Sequence, residues 1–93
     1  MQKKLSWQAY AKGERNKVID AIKSSISTNE ACIVNFNLFS DLALTLSIEI
    51  EEANIVLLHN ALSQIVDISD IDIQDINSEY KKEWIIFMNI SFT

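Results

Sequence analysis

The chain has 93 residues, 48% apolar and 23% charged, with 13 acidic against 8 basic side chains for a net charge of −5. Such a length suits one domain, and the balance is too apolar and too weakly charged for a disordered chain. A single cysteine excludes an internal disulfide framework, no apolar run nears the ~18 residues a membrane helix needs, and no apolar segment follows the N-terminal lysines as in a signal peptide. The expectation is a soluble, cytoplasmic domain spanning residues 1–93.

From Lys4 to Ala11, Leu5, Trp7, Ala9 and Ala11 alternate with Ser6, Gln8 and Tyr10. This period of two, closed by Lys12-Gly13, favours a half-buried strand over a helix. Between Glu14 and Ser27 the period lengthens: Val18, Ile19, Ile22 and Ile26 form one apolar stripe, and Arg15, Lys17, Asp20 and Lys23 fall mainly opposite it. A helix is expected there. Cys32 to Phe39 and Leu42 to Ile50 alternate again around Ser40-Asp41, which reads as an antiparallel hairpin. The link lacks the Asn-Gly or Asp-Gly of a two-residue turn, so a slightly longer loop is expected. In the first strand Cys32, Val34, Phe36 and Leu38 are assigned to the buried side.

Glu51 and Glu52 open a second helix, where negative charge complements the helix N-terminus. Ile55, Leu58, Leu62 and Ile65, with Ala61 and Val66, make its buried face, and it should end near Val66. Residues 67–83, in which aspartates alternate with isoleucines, read equally as a charged edge strand or an ordered loop. Trp84 to Phe92 alternates once more and is apolar enough to be a central strand.

Strand, helix, strand, strand, helix, optional edge strand, strand is the order of two split β-α-β units. The expected fold is an α+β, ferredoxin-like βαββαβ sandwich: an antiparallel sheet with both helices on one face and a possible extra edge strand. The face left open would carry Ser6, Gln8, Tyr10, Asn35, Asn37, Thr45, Ser47, Asn89 and Ser91, together with Ile33, Phe39, Ile85 and Phe87.

This element order, with Gly13 in the turn between the first strand and the first helix, resembles the ACT-like group of small regulatory domains. The resemblance covers nearly the whole chain by element order. It implies a small polar ligand, such as an amino acid, near Gly13. Here that turn reads Lys12-Gly13-Glu14-Arg15.

No catalytic constellation stands out. His59 is the only histidine and sits mid-helix, so it reads as a boundary residue, and no triad can be built on it. Cys32, with no cation placed to activate it, reads as a small buried hydrophobe. Asp70-Ile71-Asp72 begins like a calcium loop, but Ile73 and Gln74 follow and the obligatory glycine is missing. No metal site and no cofactor are therefore expected. Glu49, Glu51 and Glu52 are explained by helix capping. One glycine cannot make a phosphate cradle. Nucleic acid is not expected either, because the second hairpin strand puts Ala43, Thr45 and Ser47 on the open face where base stacking would need aromatics, and the net charge is negative.

Two readings remain. One is an interaction or regulatory module, not an enzyme, that forms a homodimer or meets another protein through the open face. The other is an ACT-like domain for a small polar ligand. The ligand or partner face is assigned to Gln8, Tyr10, Gly13, Asn35, Asn37, Thr45, Ser47, Phe87 and Asn89.

Overall fold

The computed structural model describes residues 3–69 and 82–92. The elements are β1 (Lys3–Ala11), α1 (Arg15–Thr28), β2 (Cys32–Ser40), β3 (Ala43–Glu51), α2 (Ile55–Ser63, entered through a 3₁₀ turn at Glu52–Asn54), β4 (Asp67–Ile68) and β5 (Glu83–Phe92). The architecture is α+β, one five-stranded sheet carrying two helices.

Alternation decides which side of the sheet is buried. Trp7, Ala9 and Ala11 of β1, Leu44, Leu46, Ile48 and Ile50 of β3, and Trp84, Ile86, Met88, Ile90 and Phe92 of β5 lie in one cluster. Val18, Ile19, Ile22 and Ile26 of α1 and Ile55, Leu58 and Leu62 of α2 complete it. Both helices therefore cover the same face, as a period-two strand and a 3.6-residue stripe demand when they share a core. α2 is shorter than expected: the helix stops at Ser63, and Val66 reaches the core from beyond it.

The strand order is β2-β3-β5-β1-β4. The fully antiparallel sheet expected from the sequence is not found, because β5 runs parallel to β1 from Lys3↔Trp84 to Ala11↔Phe92 and antiparallel to β3. Each β-α-β unit consequently splits around two strands instead of one. The physical reason lies in β5 itself. Five large apolar side chains on one face and a ten-residue backbone are best satisfied with a neighbour along both edges. The edge beside β1 goes to β4, which pairs through Ala9↔Ile68 and Tyr10↔Asp67. An edge strand thus occurs at Asp67–Ile68; the remaining aspartates of that run, Asp70, Asp72 and Asp75, lie outside the described residues.

Two local devices close the core. Glu30 adopts φ 61°, and the Ala31 and Glu30 amides donate to the Ile26 and Ser27 carbonyls, which ends α1 in a Schellman turn without a glycine. Glu52 is almost fully buried and its carboxyl accepts a 2.7 Å hydrogen bond from Trp84 Nε1, tying the start of α2 to the start of β5.

Candidate functional site

The candidate site is the face of the sheet opposite the helices, and the pairing registers lay it out in rows. One row runs Asn37, Thr45, Asn89, Gln8 across β2, β3, β5 and β1. The next runs Asn35, Ser47, Phe87, Ser6. Tyr10 and Ser91 extend the face towards one end, and Cys32, Glu49, Ile85 and Lys4 form the row at the other. At strand spacings of ~4.8 Å, four strands make a platform about 15 Å wide. Eight of the nine residues assigned from sequence share it. Gly13 does not: it sits in the β1–α1 turn at φ 102°, where the backbone requires glycine although a Cβ would meet nothing.

The centre of this platform is uncharged. Asn37 Nδ2 donates to Asn35 Oδ1 at 3.0 Å, orienting two of the amides, while Phe87 and Tyr10 are exposed at 36% and 59%. Charge collects at one end, where Glu51 stands directly opposite Glu83 and Glu49 lies one row away. The hydrogen bond between the Glu83 and Glu49 side chains, and the negative charge of Glu49, hold the Glu83 carboxyl above its ordinary range. No group of three or more His, Cys, Asp or Glu converges to hold a metal ion among the described residues, and no helix among them is long and apolar enough to cross a membrane.

β2 departs from the alternation read in the sequence. Its register slips between Ile33 and Asn35 and again between Leu38 and Ser40, leaving Val34 and Phe39 as extra residues. The first bulge exchanges the sides of everything before it. Ile33, expected on the open face, packs against the core. Cys32, expected buried, is exposed opposite Glu49. Val34, expected beneath the helices, is 52% exposed, and Leu38 is 49% exposed at the sheet margin. Leu42, read as the first residue of the second hairpin strand, is 64% exposed and belongs to the connection, since β3 begins at Ala43. That connection is tight: Ser40 pairs with Ala43, the Leu42 amide donates to Ser40 Oγ, and Arg15 Nη1 grips Asp41 at 3.0 Å. The sequence reading missed this exposed apolar edge, although its signal was present in a nine-residue strand with no charge and no proline.

His59 is half-buried; its Nε2 lies 2.7 Å from the Ser69 carbonyl, and its ring meets Trp7 edge-on at 5.2 Å. A groove of about 240 Å³ opens nearby, lined by Tyr10, Lys12, Ser63, Gln64, Ile65, Val66 and Asp67. Comparison with models of known families, with curated proteins and with solved structures finds no match.

The raised Glu83 carboxyl gives an expected pH dependence of stability. A carboxyl whose folded pKa is raised contributes most below its unfolded value and loses that contribution as pH rises through the folded one. Glu83→Gln should therefore melt above the parent at neutral pH in low salt, with the gap closing below about pH 4 and in high salt. Equal melting temperatures at neutral pH would contradict the pairing of Glu83 with Glu49.

Proposed function

We propose that this chain is a small interaction module that self-associates by packing its open sheet face against a second copy. The observation that carries this reading is the pair of central rows: eight residues from four strands, none charged, in a chain with 13 acidic and 8 basic side chains. Protein interfaces deplete charge at their centre and enrich aromatic residues there, and Phe87, Ile85 and Tyr10 supply the apolar contacts among amides and hydroxyls. A two-fold axis running across the strands sets the Glu49–Glu83 end of one copy over the Tyr10–Ser91 end of the other, which avoids opposing like charges. No catalytic step is assigned. The split β-α-β units support a ferredoxin-like frame into which β5 has been inserted.

Phe87 lies in the middle of that contact. Phe87→Lys should halve the mass measured by light scattering at tens of micromolar, with the helical and strand content unchanged. An unaltered mass would remove the face as the contact.

A second reading, of the ACT-like kind, is favoured by one feature. The groove beside the Gly13 turn brings a cation, Lys12, and an anion, Asp67, together with Tyr10 and Gln64, a donor set suited to a small zwitterion such as an amino acid. An amino acid at 100 times its dissociation constant should stabilise the fold by ~2.7 kcal/mol. A panel of amino acids at 10 mM that leaves the melting temperature of the parent unmoved would leave this reading without support.

A further inference from the structure

We infer that β2 is a second contact, along which two copies join antiparallel about a two-fold axis through Phe36 into one continuous ten-stranded sheet. The inference goes beyond the face reading, since it uses the strand's hydrogen-bonding edge and not the platform.

The two margins of the sheet differ in kind. On the β1 side the sheet ends in β4, two residues long and beginning with Asp67. A very short, charged edge strand is how proteins blunt an edge against further pairing. On the other side β2 is outermost among the described residues and runs nine residues, Cys32–Ser40, with no charge and no proline. Its two bulges flank a stretch, Asn35–Leu38, that keeps regular pairing with β3. The outer edge of that stretch presents backbone donors and acceptors in the spacing another strand needs.

The residues of β2 choose the occupant. A contact about a two-fold axis must be complementary to itself. Read outwards from Phe36, the strand is a near-palindrome: Asn35 and Asn37, then Val34 and Leu38, then Ile33 and Phe39. In the antiparallel pair centred on Phe36, amide faces amide, and each apolar residue faces another. The parity is also right. Asn35 and Asn37 pair with Ser47 and Thr45 on the open face, and Phe36 pairs with Leu46 on the helix face, so the three central pairs keep to one side each; Val34 and Phe39, the bulge residues, flank them. Val34, Leu38 and Phe39, exposed in one chain, become cross-strand neighbours of the kind that stabilise sheets.

Charge favours the same contact. Copies carrying −5 each repel, and β2 has no acidic side chain of its own, its nearest recorded charge being the Lys23 ammonium 4.7 Å from the Phe36 ring. The pairing sets the Cys32–Glu49 row of one copy beside the Ser40–Ala43 row of the other, whose adjacent Asp41 is already held by Arg15. With the axis normal to the sheet, both open faces end on the same side. The edge contact and the face contact together then close into four chains with two-fold axes only.

The experiment is sedimentation equilibrium on the full chain from 1 to 100 µM. Val34→Lys and Leu38→Glu alter exposed residues, and each alone should halve the mass in the parent. Either one placed in the Phe87→Lys background should leave single chains. Positions 34 and 38 face one another across the axis, so an equimolar mixture of Val34→Lys and Leu38→Glu chains should recover the parent mass. Hydrogen exchange on the unaltered chain adds a check that needs no variant: the alternate amides of Asn35–Leu38 that point away from β3 should gain protection at least tenfold on going from 1 to 100 µM. A parent of one-chain mass at 100 µM, or masses unmoved by Val34→Lys and Leu38→Glu together with concentration-independent exchange in β2, would overturn the edge contact. A Phe87→Lys chain that keeps the parent mass would instead overturn the face contact alone.

Discussion

β5 is the constraint from which the rest of the structure follows. Trp84, Ile86, Met88, Ile90 and Phe92 all point to the helices and all are buried. Fully burying side chains of this size is worth roughly 1.5–3 kcal/mol each, and a strand at the margin could not bury them so completely. Lodged between β1 and β3, β5 also has both backbone edges paired, parallel on one side and antiparallel on the other. That position moves β1 and β3 apart and makes each helix cross two strands. It leaves β2 and β4 as the margins.

The same placement builds the platform. Because β5 alternates strictly, its second set, Ile85, Phe87, Asn89 and Ser91, is delivered to the open face between the matching sets of β1 and β3. The polar rows become continuous only because registers on both sides of β5 put Asn89 between Thr45 and Gln8 and Phe87 between Ser47 and Ser6. The charged rows fall outside this centre, where Glu83 and Glu51 oppose each other near water and the repulsion is tolerable. The helices cover one side of the sheet, and the two middle rows of the other carry no charged side chain.

Much of this was legible in the chain. The strand and helix periods of β1, α1, β3 and β5 are local properties, and the open-face residues of those strands followed from parity alone. What periodicity could not carry was pairing. Trp84–Phe92 reads as a central strand and is one, but nothing within it states that one of its neighbours will be β1, in parallel, since that choice depends on residues some eighty positions away. The bulge at Val34 was hidden for a related reason: Cys32, Ile33, Val34 and Phe36 are all apolar enough that a slip of one residue leaves the pattern plausible, and it reversed the sides of Cys32 and Ile33. The tight hairpin does not use the positive-φ turn that Asn-Gly favours: neither Asp41 nor Leu42 has positive φ, and the turn is held by the Leu42 amide donating to Ser40 Oγ and by the Arg15–Asp41 pair, neither of which a local turn pattern announces. Gly13, expected at the site through the ACT-like resemblance of its turn, lies off the platform, and its φ of 102° is a backbone requirement of the β1–α1 turn.

The position of β5 is open to direct measurement by nuclear Overhauser contacts between backbone protons in the labelled protein. A parallel set should link β1 to β5, with Trp7 beside Met88 and Gln8 beside Asn89, and an antiparallel set should link β5 to β3, with Leu46 beside Met88. Direct antiparallel contacts between β1 and β3, with β5 at the margin, would contradict this pairing, and the platform and the exposed edge would have to be redrawn.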